Sequence, residues 1–230
     1  MTRGRACCRI LAVLGLAFSL VDCARRAPVL APPSGPVDAV EGYAQASVES
    51  EAAAIKGKFS FLFRRPGLGR VEALDPLART IYYLVFGESR AFFVLPSKKA
   101  YVEDSPETLM GHFLGFALLP DDILRLLSSR WADVGLGCPP QDAWQIVKDK
   151  EGRVVRVQKQ ALTCEIKEFF GKSAVPRIVA FSAAGTLGRM KVLTLRFNPP
   201  PRPEAFETTF LIAYTRKSWD EIHESLKNER

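Results

Sequence analysis

The chain has 230 residues, 47% of them hydrophobic, and carries 32 Lys and Arg against 25 Asp and Glu, a formal net charge of +7. That length supports one domain with a sizeable core and excludes a minimal peptide scaffold. The positive charges are interspersed rather than clustered, which suits work near anionic headgroups and argues against a nucleic-acid partner.

In chain order, Arg3, Arg5 and Arg9 come first with no acid among them, and Ile10 to Val21 then runs without a charge. A basic stretch followed by a short apolar one is the pattern of a secretory signal, and the apolar part is too short to span a bilayer. It ends in Leu20-Val21-Asp22-Cys23. A bacterial lipoprotein signal has Leu, two small residues and then Cys, so Leu20 and Cys23 fit and Asp22 departs from the pattern. Residues 1–22 are therefore read as a lipoprotein signal peptide and Cys23 as the lipid anchor. An ordinary secretory signal cut after Ala24 or Ala27 is the competing reading. Removal of three Arg and one Asp with the signal lowers the formal charge to +5. Residues 23–37 form the anchor and a Pro-rich tether, since Pro prevents regular hydrogen-bonded structure. The folded domain is expected over 38–230.

Helical spacing of Val40, Tyr43, Ala44, Val48 and Ala52 predicts a helix over 38–56, ended by Gly57. The period then changes to two. Phe59, Phe61 and Phe63 share one face, with Lys58, Ser60 and Arg64 on the other. Further strands are predicted over 69–75, 79–87, 90–96 and 99–103, joined by short turns that imply an antiparallel meander. Ser105-Pro106 opens a helix to about residue 113, and Pro120-Asp121-Asp122 opens another to about residue 130. Strands resume over 142–149, 153–160, 162–169, 176–183 and 188–197, with a last one over 206–214. A C-terminal helix over 218–227 begins at Ser218. The fold class is α+β: a large, curved, open antiparallel sheet of about ten or eleven strands with helices gathered on one face.

Five cysteines are present. Cys7 and Cys8 leave with the signal and Cys23 carries lipid, so Cys138 and Cys164 remain. An oxidising compartment permits them to pair, and two buried free thiols are the alternative. Neither has a metal-ligand spacing or a nearby histidine, and no metal or cofactor is expected. His112 and His223 lie in predicted helices without catalytic partners. No nucleophile elbow, zinc-protease motif, phosphate loop or dinucleotide fingerprint occurs, so the residues ask for no enzyme. Two strands are apolar on both faces: Ile81, Tyr82, Tyr83, Leu84, Val85 and Phe86, then Ala91, Phe92, Phe93, Val94 and Leu95. Such runs fit a sheet buried on both sides, and they equally fit a sheet lining a greasy cavity.

The segment from Arg70 to Trp131 resembles the LolA/LolB family of lipoprotein carriers, and its outer-membrane receptor branch, LolB, more than its soluble one. The likeness rests on the strand-turn-strand Arg70-Val71-Glu72-Ala73-Leu74-Asp75-Pro76-Leu77-Ala78-Arg79-Thr80. It continues through Pro106-Glu107-Thr108-Leu109-Met110-Gly111, Leu114-Gly115-Phe116-Ala117-Leu118-Leu119-Pro120 and Ile123-Leu124-Arg125-Leu126-Leu127, in the family's order and at closely matching distances. The resemblance implies a half-barrel closed by a helical lid around a cavity for acyl chains. It also implies a function: an outer-membrane lipoprotein, facing the periplasm, that binds the acyl chains of lipoproteins and inserts them into the membrane. The implied partners are those acyl chains, a periplasmic lipoprotein carrier and the inner leaflet of the outer membrane, with the protein itself a monomer. Ala24 after the anchor resembles an outer-membrane sorting signal. The family's membrane-insertion loop matches Asp75, Pro76 and Leu77, with Leu77 at its tip, although Asp75 and Ala78 replace the usual turn residues. On the strand alternation, Phe59, Phe61, Phe63, Ile81, Tyr83, Val85, Phe92 and Val94 are expected to line a cavity of about 300 Å³ or more. Two alternatives stand beside this one: a carrier of the same fold for another lipid or hydrophobic molecule, and a structural envelope lipoprotein with no cavity. Growth with a radiolabelled acyl precursor tests the anchor: label is expected in the wild-type chain and not in Cys23→Ser.

Overall fold

The computed structural model describes residues 30–49, 54–131 and 144–227. Cys23 and Cys138 lie outside the described residues. Twelve strands form one sheet: β1 (Ala39–Glu49), β2 (Ala54–Arg64), β3 (Leu68–Leu74), β4 (Thr80–Phe86), β5 (Ala91–Leu95), β6 (Ala100–Asp104), β7 (Gln145–Lys148), β8 (Val154–Lys159), β9 (Leu162–Phe169), β10 (Pro176–Ala183), β11 (Thr186–Phe197) and β12 (Thr215–Arg216). Three helices are described: α1 (Pro106–Leu114), α2 (Pro120–Ser128) and α3 (Trp219–Lys227). The strand order is β12-β6-β5-β4-β3-β2-β1-β11-β10-β9-β8-β7, antiparallel throughout except for the β12–β6 pair. Two meanders, β1 to β6 and β7 to β11, are thus joined through the pairing of β1 with β11. The open antiparallel sheet agrees with the sequence expectation, while the described residues form twelve strands rather than ten or eleven.

Of the helix expected over 38–56, the described residues form β1 and the first residues of β2 instead. Spacings of four fit both a helix and a strand, because four is close to one helical turn and is also two strand repeats. Val40, Ala44 and Val48 therefore share a face in either form. Gly42 shows why the strand wins here: a Cβ at that position would lie 2.2 Å from the Thr194 carbonyl oxygen on β11, and 2.8 Å from the Phe61 ring. Gly57, expected to stop a helix, lies inside β2. Residues 206–214 form no strand either. They make two 3-10 turns, Pro203–Phe206 and Thr209–Ala213, which bring Phe210 and Leu211 onto the outer face of the sheet before the short β12.

The helices are where the sequence places them. Ser105 caps α1, its Oγ accepting the Thr108 N–H at 3.1 Å, and Pro106 fills the first turn. α2 opens on Pro120, and its two first-turn acids reach outward to other elements. Asp121 Oδ1 accepts the Gly67 N–H at 3.1 Å, tying α2 to the β2–β3 turn. Asp122 is buried; it accepts the Trp144 indole N–H at 3.1 Å and lies 3.4 Å from Lys159 Nζ and 3.5 Å from Arg125. Ser129, beyond the helix end, donates to the Ala174 carbonyl at 2.5 Å. By contrast, α1 has no side-chain hydrogen bond or ion pair to the sheet among the described residues. It is held by the apolar contacts of Leu109, Met110 and Phe113.

The C-terminal segment wraps the β6 edge. Phe210 and Leu211 cover the outer face, β12 extends the edge, and α3 returns to the inner side, where Trp219 stacks on His112 at 4.2 Å and on Phe93 at 5.6 Å. Ser218 and Glu221 form a reciprocal cap: Glu221 N–H donates to Ser218 Oγ, and the Glu221 carboxylate accepts the Ser218 N–H. The Lys217 ammonium beside it, with that N–H, brings the Glu221 carboxyl down to about 2.

Asp122 joins α2 to the β7–β9 half of the sheet. Asp122→Ala leaves Trp144 and Lys159 without their acceptor and is expected to cost about 1–3 kcal/mol in urea unfolding. Asp122→Asn keeps an oxygen for the indole and should cost less. Equal midpoints for Asp122→Ala and wild type would show that the tie bears no load.

Candidate functional site

Side chains from both meanders converge on one space, partly open to solvent, between the sheet and the α1–α2 pair. In a flat sheet β4 and β9, six neighbours apart in the strand order, would be about 29 Å from each other at about 4.8 Å per strand. Leu84 of β4 and Cys164 of β9 nevertheless line the same cavity of about 190 Å³, so the sheet curls around it. The sheet wall includes Phe59, Phe61, Phe63 and Leu84; Met110, Phe113 and Leu114 of α1, Leu118 of the connection and Ile123 of α2 close the other side. The volume is smaller than the roughly 300 Å³ expected.

The wall is almost wholly carbon. Tyr82 and Cys164 are the polar side chains among its lining residues, and Lys58 borders it through the strand backbone, its own side chain alternating to the outer face. Burial pushes the Tyr82 phenol above its ordinary value, and burial, with the Asp122 carboxylate contributing, pushes the Cys164 thiol up to about 12. Cys164 is a buried free thiol; Cys138, its expected partner, is not among the described residues. Such a space offers no charge and few hydrogen bonds to a guest, so it selects for apolar material.

Of the eight residues expected to line it, three do: Phe59, Phe61 and Phe63. Tyr83, Val85, Phe92 and Val94 lie on the opposite face, packed with Leu211, Phe210 and Tyr214 of the C-terminal segment. Ile81 is 49% exposed. The register explains the correction. Phe61 pairs with Val71, and Val71 with Leu84, so Leu84 rather than Tyr83 shares the Phe61 face. The cause is a bulge at Ala73/Leu74 in the β3–β4 pairing: Leu74 faces Thr80, but Ala73 faces Tyr82. One extra residue exchanges the two faces of β4, and β5 follows, with Leu84 opposite Phe93.

The β3–β4 turn holds Asp75, Pro76 and Leu77, and Leu77 is 74% exposed at its tip. Asp75 forms a cage around the turn. Its Oδ1 accepts the N–H groups of Leu77 at 2.8 Å and Arg79 at 2.9 Å, and its Oδ2 accepts Arg79 Nε at 2.6 Å. The Arg79 backbone N–H is the main reason its carboxyl is held below the usual aspartate value. The same cage recurs in the β7–β8 turn: Asp149 accepts the N–H of Glu151 at 3.0 Å and of Arg153 at 2.8 Å, with Arg153 Nε at 2.8 Å. Both turns need a left-handed residue at the fourth position. Gly152 takes it at φ 78° in one and Ala78 at φ 62° in the other. The two differ at the tip, which is Lys150-Glu151 in one and Pro76-Leu77 in the other. The Asp-x-x-x-Arg spacing marks this cage only where it falls in a turn between strands, as it does at Asp75/Arg79 and Asp149/Arg153.

A larger groove of about 770 Å³ lies on the outer face, lined in part by Glu41, Tyr43, Arg70, Glu72 and Arg202. Four of its charges pair with one another: Glu41 with Arg202, and Arg70 with Glu72 at 2.6 Å. Despite its size it lacks the continuous apolar wall of the inner cavity. Among the described residues no cluster of His, Cys, Asp and Glu could hold a metal ion, and no helix is long and apolar enough to cross a membrane.

No family model and no curated protein matches the chain. Among solved structures, a DUF1329 family protein from Desulfovibrio piger is similar over 86% of this chain and 96% of its own, with a TM-score of 0.53 and 11% identity. A LolA superfamily protein from Nitrosomonas europaea is similar at a TM-score of 0.48 and 12% identity, covering 76% of this chain and 93% of its own. A domain described as a candidate outer membrane lipoprotein-sorting protein, from Vibrio parahaemolyticus, is similar at a TM-score of 0.48 and 13% identity, covering 77% and 92%. The first likeness establishes the fold alone, and the other two, below one half, carry no argument.

The burial of Cys164 has a direct test. With its thiol near 12, little thiolate forms at pH 8, and native protein is expected to resist alkylation at Cys164 for hours while urea-unfolded protein reacts within minutes. Peptide mapping that finds Cys164 alkylated at equal rates in both states would contradict its burial in the cavity wall.

Proposed function

We propose that this chain is an envelope lipoprotein, anchored through Cys23 at the periplasmic face of the outer membrane, that receives the acyl chains of other lipoproteins and releases them into the bilayer. It does so by binding, without covalent chemistry. The observation that carries the reading is the apolar cavity under α1 and α2, coupled to a caged turn that holds Leu77 out in solvent. The cavity is the receptor for acyl chains delivered by a periplasmic carrier, and the protein acts as a monomer. A leucine passing from water into the acyl boundary of a membrane contributes about 2 kcal/mol, enough to bias transfer about thirty-fold.

At about 190 Å³ the cavity admits part of one acyl chain at most, so loading requires a wall to move. α1 is that wall. Its contacts with the sheet are apolar and non-directional, whereas α2 is fixed by Asp121, Asp122 and Ser129. The small volume also favours a second reading, in which the guest is a single-chain lipid or another exported hydrophobic molecule.

Two experiments separate these readings. In cells where this chain is the only such receptor, Leu77→Glu is expected to stall lipoproteins before the outer membrane; unchanged delivery would remove Leu77 from the mechanism. Solvent extraction of protein purified from the envelope, followed by mass spectrometry, is expected to yield peptide-linked acyl chains. Free lipid alone would favour the second reading.

A further inference from the structure

The outer face of the sheet carries a set of cations that the cavity does not use. Lys58 and Lys56 alternate with Phe59 along β2 and so face away from the cavity, as Arg189 and Lys191 do on either side of Met190 on β11. Strand β1 lies between, and the register aligns them in two adjacent rows. Lys56, Ser47 and Arg189 make one row; Lys58, Gln45 and Lys191 make the next. From strand spacing and rise, the four stand at the corners of a rectangle of about 10 by 7 Å. All four are exposed, and none has an ion pair or hydrogen bond among the described residues. The nearest acids in the flanking rows are Glu49, next to the rim, and Glu72, which is held by Arg70.

Four like charges within about one Debye length of each other repel, and among the described residues the neighbouring Glu49 offsets only part of that. An external polyanion would. Its kind follows from what flanks the cations. On β11, Leu187 is 61% exposed and precedes Arg189 by two residues on the same face, about 7 Å nearer the β10–β11 turn. The row of Lys58 and Lys191 continues to Leu74, immediately before the turn that presents Leu77. Exposed leucines at the rim with cations one or two rows behind are the order of a membrane boundary, with acyl chains below and phosphates above. An acidic protein surface would match the cations and leave the leucines in water.

We propose that Lys56, Lys58, Arg189 and Lys191 form a docking surface for anionic phospholipid headgroups, which brings the outer face of the sheet to the bilayer rim first, with Leu77 and Leu187 leading. This surface acts without cargo and is independent of what fills the cavity.

Vesicle sedimentation tests it, using the full chain with Cys23→Ser so that no acyl group contributes. The segment before Cys23 is common to every variant and cancels in the comparison. Binding to phosphatidylcholine vesicles holding about 30 mol% phosphatidylglycerol is expected to exceed binding to pure phosphatidylcholine by about ten-fold or more, and to weaken with salt. Changing all four residues to Gln should remove most of that ratio. The charge-preserving set Lys56→Arg, Lys58→Arg, Arg189→Lys and Lys191→Arg should keep it. So should Gln at Arg90, Lys148, Lys150 and Lys172, which removes equal charge from turns at the other end of the sheet. Coincident thermal unfolding with wild type verifies that each variant is folded. The proposal is overturned by equal binding to both vesicle types, by a Gln set at the four positions that still prefers anionic vesicles, or by the distant set losing as much. Cross-linking of Lys56 to an acidic envelope protein, in a chain indifferent to anionic vesicles, overturns it too. Because no lipoprotein is present, these outcomes are distinct from failure of cargo binding in the cavity.

Discussion

Strand β1 hydrogen-bonds along its length to β2 on one side and to β11 on the other, and the remaining strands reach their places through that seam. The β1–β2 pairing is local and joins neighbours in sequence. The β1–β11 pairing joins Val40 to Phe197 and Glu49 to Leu187, with most of the chain between them. Closing so long a loop is entropically costly, and the reward is the whole curved sheet. Gly42 permits the close approach, since any side chain there would meet the Thr194 carbonyl. The first strand of the domain is thus its central one.

The seam also separates two surfaces of different chemistry. On the inner side, Ala44, Phe61 and Val192 pack into a core that continues into the cavity wall. On the outer side the same strands carry Glu41, Gln45, Ser47, Lys56 and Lys58. Each helix then meets the inner side by a different physical means. α2 is tied by directional bonds at both ends, including a buried carboxylate that must keep its partners. α1 rests on apolar contact alone, which can be remade after a shift. A fixed helix beside a movable one is what a cavity needs if it is to open without losing its shape.

Much of this was legible in the sequence, and the failures have physical causes. The alternation of Phe59, Phe61 and Phe63 against polar neighbours placed β2 and its cavity face correctly. The Ser105-Pro106 and Ser218 signals placed two helices. β1 was misread because Val40, Ala44 and Val48 satisfy the helical and the strand period at once. β4 and β5 are apolar on both faces, so their alternation carries no sign, and a single bulge at Ala73/Leu74 decided which face turned inward. The outer faces of those strands are buried because Phe210 and Leu211 fold over them, a tertiary fact with no local pattern. Leu77 could be found by resemblance, whereas the Asp75 cage that holds it became plain only beside its twin at Asp149.

The cavity under α1, as the place where an acyl chain binds, is the centre of the proposed function. Fluorescence titration of the protein with an acyl chain bearing an environment-sensitive dye, comparing wild type with Ala46→Phe, tests this most directly. Ala46 lines the cavity opposite Gly57 and touches neither the Leu77 turn nor the outer face. Saturable one-to-one binding by wild type, weakened about ten-fold or more when the added ring fills the space, is the predicted result. Equal affinity in a folded Ala46→Phe protein would place the chain elsewhere and contradict the account.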